Sequence, residues 1–170
     1  MITIVDYGMG NLQSVQNGFE CMGYATSVTD RVDEIKKARA IILPGVGAFG
    51  QAVKNLQDKG LGEVVKKRAR EGVPLLGICL GLQLLLDKSE EGSGIKGSGL
   101  ELIPGEVIKF QGNLKIPHMG WNRLKIIKDD PLLKGVKQGD YFYFVHSYYA
   151  VPGSYEAVVA SVDYGNDFAA

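Results

Sequence analysis

Histidine and cysteine are both scarce in this chain of 170 residues, with two of each. Two cysteines, Cys21 and Cys79, cannot build a disulfide framework and suit a reducing compartment. No Cys/His spacing resembles a metal site, so no metal and no cofactor is expected. Charge of one sign is also lacking: 19 Lys+Arg balance 19 Asp+Glu. No large field is then available to recruit nucleic acid or an anionic membrane. Long hydrophobic runs are missing too. The longest, around Cys79, is broken by glycines and is too short to span a bilayer. The N-terminus enters a strand-like run at once, without a basic-then-apolar signal pattern. A cytoplasmic protein with no membrane segment is expected. There is no repeat, no Pro/Ser-rich linker and no low-complexity tract, so residues 1–170 are read as a single domain. At 45% hydrophobic and 22% charged residues the composition is that of a globular protein with a real core.

Glycine, by contrast, is abundant, at 23 residues. It falls mostly where strand-like and helix-like runs meet, which is turn chemistry. Strands are predicted at 2–5, 24–28, 40–43 and 73–76. Helices are predicted at 12–22, around 34–37 after a Thr29-Asp30 cap, at 48–57, at 63–70 and at 82–86. The run Ala40-Ile41-Ile42-Leu43 is continuously apolar, as in a strand covered on both faces. This alternation predicts an α/β fold with a mostly parallel central sheet and helices on both faces. The second half differs. A glycine-rich loop opens at Glu90-Glu91-Gly92-Ser93-Gly94, and strand-like runs at 106–110, 122–127, 141–145 and 156–162 follow with few helical stretches between them. Antiparallel strands added to the parallel core are expected there.

The most informative stretch is Gly77-Ile78-Cys79-Leu80-Gly81. G-x-C-x-G between a buried strand and a helix is the cysteine form of a nucleophile elbow. The turn is too tight for bulky neighbours, and it pushes the thiol out toward the N–H groups of the following helix. Cys79 is expected at the carboxyl end of a central strand. Pro44-Gly45-Val46-Gly47-Ala48-Phe49-Gly50 follows the third strand and should share that edge, where ligands bind in open α/β sheets. It can offer backbone N–H groups to an oxyanion. Tyr7-Gly8-Met9-Gly10-Asn11 imitates a dinucleotide loop, but Gln13 occupies the third glycine position, which argues against a nucleotide site. A cysteine nucleophile needs an imidazole base. His146 is the natural candidate and His118 the other; the alternative for either is a hydrogen-bonded structural histidine, the more frequent case for an isolated one.

Together these segments resemble the class I glutamine amidotransferases, and more narrowly the glutaminase subunits of imidazole glycerol phosphate synthases. The resemblance rests on Asp6-Tyr7-Gly8-Met9-Gly10-Asn11-Leu12, Pro44-Gly45-Val46-Gly47-Ala48-Phe49, Gly77 to Gln83, Pro117-His118-Met119-Gly120-Trp121-Asn122 and His146-Ser147-Tyr148-Tyr149. The P-H-M-G-W-N hexapeptide is the most specific of them. The resemblance implies a flavodoxin-like three-layer fold with Cys79 as nucleophile toward the side-chain amide of glutamine. It implies an oxyanion hole from the N–H groups of Gly47 and Leu80, and a glutamine site involving Gly45, Gln83, Ser147 and Tyr148. Ammonia would pass to a cyclase subunit, a (β/α)₈ barrel, facing Asn11, Met119, Trp121 and Asn122. In that family the histidine and glutamate of the triad lie in a Q-F-H-P-E type segment near the C-terminus. No such segment occurs here, so neither His118 nor His146 inherits the role of base, and the chain is expected to be a C-terminally incomplete form of the domain. Three other readings are carried forward. One is a glutaminase subunit feeding anthranilate or pyridoxal phosphate synthesis. Another is a small-ester cysteine hydrolase using His146. The third is a non-catalytic subunit that only binds its partner.

Overall fold

The computed structural model describes residues 1–92 and 98–170. Ser93 and Gly94 of the glycine-rich loop lie outside the described residues. The first half alternates β1 (Ile2–Val5), α1 (Leu12–Cys21), β2 (Thr26–Thr29), α2 (Val32–Ile35), β3 (Ala40–Gly45), α3 (Phe49–Asp58), α4 (Leu61–Arg70), β4 (Leu75–Cys79) and α5 (Leu80–Gln83). The four strands form one parallel sheet in the order β2-β1-β3-β4. β3 is buried from Ile41 to Gly45, which explains its unbroken apolar sequence. Ile41 and Leu43 join the main core with Phe49, Ala52, Val53 and Leu56 of α3 and Leu61, Val64 and Val65 of α4. Ile4 and Ile42 are also buried, and the pleat turns Ile42 to the other face from Ile41 and Leu43.

Two expectations about the nucleophile segment need correction. First, β4 stands at the edge of this four-stranded sheet, not in its centre. A later strand does approach its open side, but an apolar groove separates them instead of a ladder: Ile78, Leu82, Tyr149, Ala150 and Phe168 line it. Second, the predicted helix at 82–86 is a single turn at Leu80–Gln83. Leu84, Leu85 and Leu86 are all buried. The Leu84 carbonyl accepts from Leu100 N–H, and the Leu85 carbonyl from the N–H groups of Leu102 and Ile103. A tertiary strap takes the carbonyls that a helix would use, and burial on every side overrides helix periodicity.

The second half contributes β5 (Lys88–Ser89), β6 (Gly105–Lys109), β7 (His118–Arg123), β8 (Lys125–Ile126), β9 (Tyr141–His146), β10 (Tyr148–Pro152), β11 (Ala160–Asp163) and β12 (Asp167–Ala169). They pair as β10-β6-β5, β12-β11-β8 and β7-β9. All of these pairs are antiparallel except β5 with β6. The expected run at 122–127 divides into β7 and β8. Leu124 between them is buried and exchanges backbone bonds with Gly139 and Asp140, so the chain crosses there from one sheet to another. The expected strand at 156–162 begins late, at Ala160, because Tyr155–Ala157 form a 3₁₀ turn capped by Ser154. Phe110, Leu124, Ala160, Val162 and Phe168 make a second core under these sheets.

Candidate active site

Cys79 ends β4 and opens α5 with φ 55° and ψ −114°. A side-chain-bearing residue seldom takes this conformation, and here the surroundings enforce it. A Cβ on Gly81 would lie 1.7 Å from the Leu43 carbonyl oxygen. A Cβ on Gly77 would lie 2.6 Å from both Gly81 O and Leu82 N. Both flanking glycines therefore serve close backbone approach. The register pairs Gly45 directly with Cys79, which sets the Pro44-to-Phe49 loop beside the thiol, as the sequence predicts. Gly45 itself is packed shut: a Cβ there would be 2.4 Å from the Tyr7 hydroxyl. That hydroxyl is buried and unpaired among the described residues. Burial, and then the neighbouring Cys79, hold its proton on more firmly than in an ordinary phenol.

The thiol reaches solvent, yet its close neighbours exclude enough water to push its pKa up. The N–H of Leu80, hydrogen-bonded to the sulfur, works in the opposite sense and is outweighed. The pocket in front of it is lined by Val46, Gly47, Leu80, Gln83, Glu91, His146, Ser147 and Tyr148. Gln83 Nε2 donates to the Tyr148 carbonyl at 2.9 Å. Glu91 is the residue that sequence reasoning missed. Its Oε2 accepts from Phe49 N–H at 2.8 Å, at the start of α3, where the N-cap Ala48 has no side-chain acceptor of its own. A carboxylate is favourable at a helix N-terminus. Its partner lies 42 residues away in sequence, so no local spacing could reveal it.

His118 and His146 face each other across β7 and β9, with His118 Nδ1 3.0 Å from His146 Nε2. His146 Nδ1 lies 2.9 Å from the Tyr148 carbonyl, which can only accept. Nδ1 of His146 therefore carries its proton, and Nε2 accepts from His118. Neither nitrogen of His146 retains a free lone pair for Cys79, although its ring lines the same pocket. Burial depresses the pKa of both rings, the neighbouring His146 adding to the effect on His118. The sign of the resulting pH effect follows. Unfolded, each imidazole takes up a proton near its ordinary 6.5; folded, it does so only at lower pH. Stability is thus complete above that value and falls on acidification. Urea midpoints measured between pH 7.5 and 6, above the carboxylate range, should decline; a flat profile would contradict neutral rings shielded from solvent.

The outer face of the β7–β9 pair is apolar and open. Met119 pairs with Val145 and Trp121 with Tyr143, and all four are more than half exposed. Trp121 and Tyr143 meet edge to face, 5.6 Å apart. Asn122, grouped with Met119 and Trp121 on sequence, is different: alternation turns it to the inner face. There its Nδ2 donates to the Asp163 carbonyl at 2.8 Å. Asn11 is exposed at the start of α1 and caps it, accepting from Ser14 N–H. Among the described residues there is no cluster of His, Cys, Asp and Glu able to hold a metal, and no helix is long and apolar enough to cross a membrane.

A strained cysteine elbow at the carboxyl edge of a parallel sheet, beside a glycine loop, defines a class. The chain belongs to the class I glutamine amidotransferases, whose family profile matches residues 3–167. A crystal structure of a glutamine amidotransferase superposes with a TM-score of 0.74 at 17% identity, covering 97% of this chain and 86% of that one. The fold is thereby shared. Much closer in sequence are proteins named imidazole glycerol phosphate synthase subunit HisH. The one from Moorella thermoacetica is 52% identical over 99% of this chain and 79% of its own length. Those from Methanothermobacter thermautotrophicus and Syntrophotalea carbinolica are 50% and 47% identical over 100% of this chain and 83% and 85% of theirs.

Proposed function

We propose that this chain is the glutaminase subunit of an imidazole glycerol phosphate synthase. Half-identity to subunits of that name along nearly the whole chain carries the reading, and the Cys79 elbow supplies the chemistry. In this reading Cys79 Sγ attacks the side-chain amide carbon of glutamine. The N–H groups of Leu80 and Gly47 receive the oxyanion. The C–N bond breaks and ammonia leaves carrying the proton given up by the thiol. Water then cleaves the thioester to glutamate and returns a proton to the sulfur. These transfers call on a base other than His118 and His146, whose lone pairs are engaged. Gly45 holds the loop against the elbow. Gln83, Ser147 and Tyr148 seat the substrate. Glu91, the one acid among the described residues lining the pocket, suits its α-ammonium. The apolar face of Met119, Trp121, Tyr143 and Val145, with Asn11, is where the cyclase subunit, a (β/α)₈ barrel, would dock and receive ammonia. Such a pair works in the cytoplasm, and no cofactor enters the scheme.

A chloroketone analogue of glutamine tests the site. It should alkylate Cys79 saturably and leave Cys21 unmodified, as read by peptide mass. Because burial raises the pKa of the thiol, the limiting rate should climb about tenfold per pH unit across neutrality, the fraction of thiolate being what reacts. Labelling of Cys21 at a similar rate, or a pH-independent rate, would count against the reading.

A further inference from the structure

We infer that His118 and Asn122 are positioning residues for the glutamine pocket. With His146 they form a one-way hydrogen-bond chain that fixes the Tyr148 carbonyl and, through it, Gln83. The inference rests on the glutaminase reading above.

The direction of the chain is set independently at both ends. At the pocket end the Tyr148 carbonyl can only accept, so His146 donates from Nδ1 and accepts at Nε2. His118 must then donate from its Nδ1 across the 3.0 Å contact, which leaves its Nε2 as an acceptor. At the far end, the Asn122 amide is oriented by two other bonds. Its Oδ1 accepts from Arg123 N–H at 2.8 Å, and its Nδ2 donates to Asp163 O. That Nδ2 also faces His118 Nε2 at 3.4 Å, where a donor is what the pocket end requires. Flipping either ring, or moving either proton, sets donor against donor or acceptor against acceptor.

The surroundings make such a mismatch costly. Tyr164 stacks on His118 at 4.0 Å between ring centroids, and Phe144 stacks on it at 5.2 Å. Phe110 and Phe168 close on His146 at 5.2 and 5.1 Å. In an aromatic cage a satisfied polar chain is stiff, and a broken one is penalised more than in water. The output of the chain is specific. The Tyr148 carbonyl takes both His146 Nδ1 and Gln83 Nε2. Gln83 ends the helical turn that Cys79 begins, so the chain joins the two sides of the pocket. A pair of histidines that merely filled space would need neither this direction nor this terminus.

Two measurements on the 170-residue chain test the inference. Long-range ¹⁵N NMR of the imidazoles at neutral pH should show both rings neutral, protonated at Nδ1 and bare at Nε2. An Nε2–H tautomer or a charged ring at either position overturns the chain as drawn. Alkylation of Cys79 by the glutamine chloroketone then reads the function. His118→Phe keeps the aromatic volume and removes the donor, whereas His118→Asn retains an N–H at the Nδ1 position. His118→Phe should weaken the half-saturating concentration about tenfold, the effect of a lost buried hydrogen bond, with the limiting rate changed less than about twofold; His118→Asn should recover most of the affinity. Unchanged affinity in folded His118→Phe, or equal losses in both variants, overturns the inference while leaving the glutaminase reading intact. If the parent chain reacts with iodoacetamide but never saturably with the chloroketone, the glutaminase reading fails and this inference falls with it. Should His118→Phe not fold, the tautomers of the parent chain and the His118→Asn affinity still decide, a loss beyond about threefold in the latter counting against the inference.

Discussion

Gly81→Ala is expected to destabilise the domain by about 4 kcal/mol or more, at the extreme of what single substitutions do. The new methyl carbon would fall 1.7 Å from the Leu43 carbonyl oxygen, far inside contact distance. Neither partner can yield cheaply. Leu43 belongs to β3, paired with β1 on one side and β4 on the other, and its side chain is wholly buried. Gly81 lies in the helical turn whose first N–H serves the thiol. Relief must come from lifting that turn off the sheet, which also dismantles the elbow. For a domain of this size the loss corresponds to a fall in Tm of roughly 8–16 °C, with Cys79 alkylation by the glutamine analogue lost in whatever remains folded. Gly18→Ala is the matched control. Gly18 lies inside α1 with nothing within 4 Å of the added carbon, so it should gain about 0.5–1 kcal/mol from helix propensity and reduced unfolded-state entropy. Thermal and urea unfolding of the two variants give the comparison. A Gly81→Ala protein as stable as its parent would mean that the elbow is not built on this backbone contact.

That contact marks the boundary of what could be read from the sequence. The G-x-C-x-G spacing announced a tight turn, and the structure supplies what each glycine avoids. The parallel first half was legible because β3 is apolar throughout and glycines punctuate the joints. The position of Cys79 on an edge strand was not legible, since ladder order depends on which segments meet in space and local sequence does not encode it. The helix expected at 82–86 failed for a related reason. Three consecutive leucines fit a helix face and a fully buried turn equally well, and the strap from Leu100 to Ile103 decided between them. Within the site, Cys79, Gly47, Leu80, Gln83, Ser147 and Tyr148 were named from motifs and do converge on one pocket. Glu91 was not named, because an acid in a glycine-rich loop carries no signal until the helix end it caps is known. The inward turn of Asn122 was available from strand alternation, since His118, Gly120 and Asn122 share one face of β7. Treating the hexapeptide as a unit obscured it.

The 170-residue chain should alkylate with the chloroketone and yet fail to hydrolyse glutamine repeatedly. The two reactions ask different things of the site. Alkylation needs a thiolate and a leaving chloride, which departs without a proton. Amide hydrolysis needs a group that takes the thiol proton, gives it to departing ammonia and then activates water against the thioester. The chain has only two imidazoles. Both lone pairs are committed, His146 Nε2 to His118 and His118 Nε2 to the Asn122 amide. Among the described residues, burial raises the pKa of Cys79 and only the Leu80 N–H works against it. Positioned proton transfer is worth about 10²–10⁴ in rate, and this cycle calls on it in both acylation and deacylation. Turnover should therefore sit at least about 10⁴-fold below that of a glutaminase with a free imidazole at the thiol. Glutamate release assayed with and without a cyclase subunit should stay at or below one equivalent per Cys79 in both cases. Docking a partner on the Met119–Trp121 face leaves both imidazoles of this chain committed as they are. Multiple turnovers that vanish in His146→Ala would reverse the assignment. His146 would then have to leave His118 during catalysis, and the hydrogen-bond chain would be a resting state of the base.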